Sequence, residues 1–341
     1  MNSKRVMLAV GLAVGLVVGA KPAVPVAQAA ETIVRFHEYP GSIAHLVNWA
    51  MVDKGFCKKE GIVCQPIYLA NGPLAQQAAA AGSVDLIYSS VDLMMQAVAK
   101  GLKLQVVATQ QPSNVYVLAV RSDIAQPHRA AGYPEDMTDL KGRIVGVSAR
   151  GSATELYVDA LLAGAGMAPE SVTYVGVGAP NTAFAAIQAK QVDAVLSWDP
   201  LPARCDATRA CDVLVDLRKG QGPADVRAMN GGFGAWQATR EYVEKNGPAV
   251  DAFVRALSDA TAWVKDPANF HEVMDLARKH FKLGDVPNRD KVLEQLVKEM
   301  IAQYGTHFDR ASIKAFNDFL LKNKRISAPI DPESIVYSKT P

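Results

Sequence analysis

Apolar positions along this chain fall into two alternating rhythms. Short β-branched or aliphatic runs occupy 33–36, 62–67, 84–88 and 104–108. Between them, over 44–54, 74–81 and 92–100, apolar residues return every three or four positions. The first pattern predicts buried strands and the second amphipathic helices, with Gly55, Gly82 and Gly101 as stops. A strand over 116–120 leads away from this series. After an interruption at Pro127, Gly132 and Pro134 the rhythm resumes, with strands over 143–147, 172–175, 192–196 and 213–215 and a helix over 182–190. Residues 231–236 read as a return crossing, and helical patterning then runs from 241 to about 324, including 248–264 and 290–304. The pattern predicts an α/β protein of two βα lobes, each built on a mostly parallel sheet covered on both faces. Two crossings leave a ligand cleft between the lobes. The boundaries read as 30–118 for the first part of lobe 1, 119–228 for lobe 2, and 229–341 for the return to lobe 1 with the C-terminal helices.

In such sheets ligands sit beyond the carboxyl ends of strands. The residues predicted there are Tyr39, Gly41, Ser42, Asn71, Gly72, Ser89, Ser90, Thr109 and Gln110. They are small, hydroxylic or amide-bearing and contain no nucleophile–base pair. The stretch 140–155 is the most pointed: an apolar strand breaks at Ser148-Ala149-Arg150-Gly151-Ser152, and a helix starts at Ala153. Ser152 or Thr154 can cap that helix, whose first N–H groups, with Arg150 nearby, suit an anion. On this reading Arg150→Ala weakens an anionic ligand. The plainer alternative is a tight strand-to-helix turn with a solvated arginine. Trp198 and Asp199 follow another strand end, where Trp198 stacks on a ligand or packs, and Asp199 accepts from an ammonium group or ends the strand in a turn. His37 and Glu38 read first as a surface pair, with an amine-reading or pH-sensing role as the rival. Met94 and Met95 read as core.

Composition adds an address. Lys4 and Arg5 precede an apolar run ending near Gly19, and Ala27-Gln28-Ala29 follows as an A-x-A cleavage signature. Residues 1–29 read as a secretory signal peptide, giving a periplasmic protein that begins at about Ala30. The net charge of +2 includes Lys4, Arg5 and Lys21 of that leader, so the remainder is nearly neutral and gives no ground for nucleic-acid binding. Cys57 with Cys64 and Cys205 with Cys211 bracket short polar segments, and in an oxidising compartment two local disulfides are the natural pairing. Four cysteines allow three connectivities, and a metal site is the rival reading.

Enzyme signatures fail. Gly146-Val147-Ser148-Ala149-Arg150 carries Arg where a nucleophile elbow needs its second Gly, and His271-Glu272-Val273-Met274-Asp275 lacks the second His of a zinc-protease helix. No Walker A loop or G-x-G-x-x-G fingerprint follows a strand. Neither a cofactor nor a metal is expected.

Several short motifs, in order, carry a family resemblance. They are Gly55-Phe56 followed by Lys59-Glu60-Gly61-Ile62, Ala80-Ala81-Gly82-Ser83-Val84-Asp85, Asp139-Leu140-Lys141-Gly142, Gly151-Ser152-Ala153, Ala185-Ala186-Ile187 with Val192-Asp193-Ala194, and Trp198-Asp199-Pro200. The set resembles the type II periplasmic substrate-binding proteins of ABC importers for nitrate, taurine, alkanesulfonates and thiamine precursors. That resemblance implies a monomeric, two-lobed binder that closes on one small molecule and delivers it to a membrane permease and its ATPase. Carried over by position, it implies ligand contacts at 39–42, Asn71-Gly72, Ser89-Ser90, 148–153 and Trp198-Asp199. Ser89-Ser90-Val91-Asp92 stands where sulfonate binders carry a Thr-Gly-Asp turn. The expected ligand is a small organic anion, a sulfonate or carboxylate with or without an aromatic ring. The alternatives are a nitrogen heterocycle such as a pyrimidine, read by Asp199, Glu38 and Trp198, or a sensory role without transport.

Overall fold

The computed structural model describes residues 31–341, and the leader read over 1–29 lies outside the described residues. The chain opens with β1 (Thr32–Glu38), α1 (Leu46–Asp53), α2 (Phe56–Lys59), β2 (Ile62–Tyr68), α3 (Gly72–Ala80), β3 (Ile87–Ser90), α4 (Val91–Ala99) and β4 (Leu104–Gln111). It continues through β5 (Val117–Arg121), β6 (Ile144–Val147), α5 (Ala153–Gly164), β7 (Thr173–Gly176), α6 (Pro180–Gln188), β8 (Ala194–Ser197), α7 (Leu201–Thr208), β9 (Cys211–Asp216) and α8 (Ala224–Ala228). It returns through β10 (Gly234–Thr239) into α9 (Arg240–Lys265), α10 (Phe270–His280), α11 (Arg289–Gln303), α12 (Ser312–Lys322) and α13 (Pro332–Ile335).

The strands make two groups with the same plan. In lobe 1, β2 and β1 pair in parallel, a parallel bridge from Phe36 to Leu86 leads to β3, and β10 lies antiparallel between β3 and β4. The order is therefore β2-β1-β3-β10-β4. In lobe 2 the order is β7-β6-β8-β5-β9, with β5 antiparallel to both neighbours. Each lobe is thus parallel except for one strand, the one that has just crossed from the other lobe. Helices cover both faces, so strand runs such as Val117–Arg121 are apolar without alternation.

That inserted strand corrects two sequence readings. β3 and β4 run on past their predicted ends to pair with β10, so Ser89, Ser90, Thr109 and Gln110 are strand residues rather than loop residues. The Thr109 hydroxyl donates to the Gly234 carbonyl at 2.9 Å, and the Gln110 side chain donates to the Ala44 carbonyl and accepts from the Trp236 indole at 2.9 Å. Both hold β10 in place. Trp236 itself is fully buried against Phe36, Tyr88 and Phe253, with ring centroids 5.1–5.9 Å apart. Burial of such a side chain contributes on the order of 3 kcal/mol.

The polar segment between Cys205 and Cys211 is not wholly a loop either. Its first part is the end of α7, and Cys205 meets Cys211 across the following turn. Cys57 pairs with Cys64 in the same way in lobe 1, so all four cysteines stand in local disulfides. Met94 and Met95 are fully buried in the core. Among the described residues no helix is long and apolar enough to cross a membrane.

Candidate functional site

A cavity of about 40 Å³ lies where the carboxyl ends of the strands of both lobes converge. Lobe 1 contributes Tyr39 after β1, Ala44, Gly72 at the start of α3, Tyr88, Ser89 and Ser90 from the end of β3, and Leu93 on α4. Lobe 2 contributes Ser148 after β6, Ser152 and Ala153 at the start of α5, and Trp198 after β8. The crossings supply the remainder, with Gln111, Val115 and Tyr116 on the way out and Phe233 and Gly234 on the way back. Among the described residues no lysine or arginine lines the cavity. Its walls are largely aromatic, and its polar groups are neutral hydroxyls and one amide.

Two helix starts, one from each lobe, face this space. Ser90 is the N-cap of α4 and Ser152 the N-cap of α5, yet neither side chain makes a capping bond to its helix. By contrast, Asn71 caps α3 by accepting from the Leu74 N–H at 3.0 Å. The first-turn donors of α4 and α5 are therefore left to other partners, with the positive end of each helix dipole behind them. Ser90 Oγ is buried without any hydrogen-bond partner. On the α5 side, Thr154 Oγ1 accepts from the Ser148 N–H at 2.8 Å and lies within 3.1 Å of the Ser148 and Ser152 hydroxyls. Three hydroxyls thus share one cluster at the cavity rim.

The lobes touch directly around the cavity. The Trp198 indole N–H donates to Ser42 Oγ at 3.0 Å, and its ring packs edge-on against Tyr39 and Tyr116. Tyr157 on α5 donates its hydroxyl to Asp92 on α4 at 3.3 Å. Gly41 has φ +70° and sits so close to Asn181 on α6 that a Cβ there would fall 2.9 Å from the Asn181 Cβ. Only glycine satisfies both demands. Gly72 is less constrained, since a Cβ there would meet only the tip of the Leu93 side chain.

The structure does not bring every expected residue to the cavity. Arg150 points outward, 63% exposed, paired with Glu155 at 3.1 Å and lying over the Tyr174 ring. The cause is local: Glu155, three residues after the N-cap Ser152, reaches back to the Gly151 N–H at 2.8 Å and draws the guanidinium with it. Gly151 shares that outer turn. Asp199 is buried but already engaged, accepting from Arg218 at 2.9 Å and from Gln303 on α11 at 3.1 Å. Burial raises its pKa while Arg218 opposes the rise. Asn71 caps α3 beside the cavity, and Thr109 lies behind it in the sheet.

His37 and Glu38 are not a surface pair. β1 runs to Glu38 as an interior strand of lobe 1, which buries both side chains. Both ring nitrogens of His37 face carbonyl oxygens, of Tyr88 at 3.1 Å and Leu69 at 3.0 Å, and burial pushes its pKa down to about 4. The ring is therefore neutral near pH 7 and donates to only one of them. Glu38 accepts from the Trp49 indole, and burial lifts its carboxyl to about 7. His45 completes this polar layer: the Tyr39 N–H donates to its Nε2 at 2.8 Å, which leaves the proton on Nδ1, facing the Asn48 amide. Turning that amide places its otherwise unpartnered oxygen on the Nδ1–H.

Sequence reasoning missed Tyr88, Leu93, Gln111, Tyr116 and Phe233. For Gln111, Tyr116 and Phe233 the signal was topological, because segments that carry a chain between lobes pass beneath the cleft and become its floor, whereas Tyr88 and Leu93 flank Ser89 and Ser90 at the end of β3 and the start of α4. A wider groove of about 920 Å³ runs between α7 and α11, but it opens on solvent and its inner residues Arg218 and Gln303 are already bound to Asp199.

Comparison with known proteins agrees with this fold. Residues 44–270 match the family described as NMT1/THI5 like. A protein of Brucella abortus named as a binding protein is 24% identical over 292 residues, 82% of each chain. Among solved structures, a protein of Bordetella bronchiseptica superposes with a TM-score of 0.76 at 23% identity, over 91% of this chain and 95% of that one. The alkanesulfonate-binding protein SsuA of Xanthomonas axonopodis gives 0.70 at 21% identity, over 90% and 98%. The nitrate-binding protein NrtA of Synechocystis gives 0.66 at 15% identity, over 90% and 86%. The shared fold is that of periplasmic binding proteins.

Proposed function

The chain belongs to the NMT1/THI5-like family, and on that premise we propose that it is the solute-binding component of an ABC-type importer, exported to the periplasm. It captures a small organic acid between its lobes and presents the closed complex to a membrane permease. The observation that carries this reading is the pair of uncapped helix starts, α4 from lobe 1 and α5 from lobe 2, facing one cavity. An acidic head group held between them takes N–H donors and dipole stabilisation from both lobes at once, so binding favours closure. The aromatic walls formed by Tyr39, Tyr116, Trp198 and Phe233 suit a flat apolar body. The absence of a lining cation favours a single negative charge over two.

Calorimetry against a panel of carboxylates and sulfonates, with and without an aromatic ring, tests the reading. Binding by ring-bearing monoacids and not by dianions is the expected result. Binding by neutral or cationic nitrogen heterocycles alone would overturn it. One observation favours that second reading: Asp92 Oδ2 is a buried acceptor without a partner, ready for a ligand N–H. Transport by membrane vesicles containing the cognate permease separates import from a purely sensory role.

A further inference from the structure

Asp92 lies in the first turn of α4 between Ser90 and Leu93, both of which line the cavity. It is fully buried, and its Oδ1 accepts from Tyr157 of the opposite lobe. Its Oδ2 and the neighbouring Ser90 Oγ are both without partners. The groups that face it are neutral hydroxyls: Tyr157 on α5, Tyr116 on the outward crossing, Tyr39 after β1, and Ser90 on its own helix. On α12, which packs against α4, Lys314 is paired with Asp318 and Lys322 with Asp225. On α5, Glu155 is paired with Arg150, outside the cavity. An ionised Asp92 would therefore be dehydrated by the closing lobes with no cation to neutralise it.

We propose that Asp92 is a proton-linked gate of the binding cleft: the lobes close over it when it carries a proton, which its Oδ2–H then donates to Ser90 Oγ. A single proton taken from solvent in this way satisfies both orphaned atoms and removes the buried charge. When the lobes part, water reaches the carboxyl, which ionises and returns the proton. Burial lifts the Asp92 pKa in the closed form to about 7, well above the ordinary carboxylate range. A protonated Asp92 also leaves the lobe 1 wall neutral, so an acidic ligand meets no opposing charge. This last consequence rests on the binder reading above.

The test uses the ligand-free, full mature chain. Small-angle scattering between pH 5 and 8.5 reports lobe separation, and Trp198 fluorescence reports its contact with Ser42. The closed-to-open ratio is expected to fall about tenfold per pH unit up to roughly pH 7 and then level off. Asp92→Asn, neutral at every pH, is expected to abolish this dependence. Tyr157→Phe, which removes a donor that favours the ionised carboxyl, is expected to move the pH at which the ratio levels off to a higher value, and it carries the test if Asp92→Asn does not fold. A wild-type radius independent of pH, an Asp92→Asn protein that keeps the wild-type transition, or an unmoved levelling-off point in Tyr157→Phe would each overturn the gate. Failure of every organic acid to bind would sink the ligand reading while leaving this result to stand or fall by itself.

Discussion

The two lobes share a strand order but divide the work at the cavity. Lobe 1 places a layer of buried titratable groups, His37, Glu38, His45 and Asp92, within or just behind its wall. Lobe 2 offers hydroxyls around Thr154 and the Trp198 ring, with its charged residues, Arg150 and Asp199, satisfied elsewhere. One plan of sheet can therefore carry either a proton-responsive wall or a neutral lid. The difference arises where strands end: β1 buries polar residues up to its last position, while β6 and β8 finish in exposed turns or in partnered acids.

The most disruptive way to break this comparison is at the strand that completes lobe 1. Trp236→Ala should cost about 3–5 kcal/mol in denaturant unfolding, since a large core ring is lost with no easy collapse. A two-step melt in that variant would show lobe 2 surviving alone, whereas a single step would show one cooperative unit.

Next comes the titratable layer. Glu38 has its carboxyl raised from 4.5 to about 7 by burial, so its folded form loses stability as pH rises through that window and is unaffected below it. Glu38→Gln should therefore be more stable than wild type by up to about 3 kcal/mol at pH 8 and equal to it below about pH 4.5. His37 acts with the opposite sign, because its pKa is pushed down from 6.5 to about 4 and stability falls as pH drops through that interval. Thermal melts across pH of Glu38→Gln beside wild type would resolve the two opposing slopes.

Trp198→Phe keeps the ring and deletes the indole donor to Ser42, and should weaken closure by about 0.5–1.5 kcal/mol, read as a lower ligand affinity. The smallest effect belongs to Arg150→Ala. Its exposed pair with Glu155 is worth about 0–1 kcal/mol in stability, and ligand affinity should not change. A tenfold loss of affinity would return Arg150 to the site.

Much of the fold was legible from periodicity, because strand and helix rhythms are local properties. The helix start at Ser152-Ala153 and the cleft position of Trp198 were readable for the same reason. What escaped was decided by distant segments. The insertion of β10 turned Thr109 and Gln110 from rim residues into sheet fasteners, and the interior position of β1 buried His37 and Glu38. Arg150 was misplaced for a nearer reason: the Ser-x-x-Glu spacing of Ser152 and Glu155 was there to be read as a capping pattern that occupies the arginine.

The crossing strands also bear on the order in which the molecule can form. The sheet of lobe 2 joins partners such as Ile144 and Asp193, 49 residues apart, from one continuous stretch of chain. Lobe 1 joins Ser89 to Gln237, 148 residues apart, so its middle stays unpaired until the other lobe has been threaded through. Loop closure makes the nearer pairing the faster one. A chain folding in this order would finish lobe 2 before lobe 1, and until then β3 and β4 present open edges that a neighbouring chain or a chaperone could occupy.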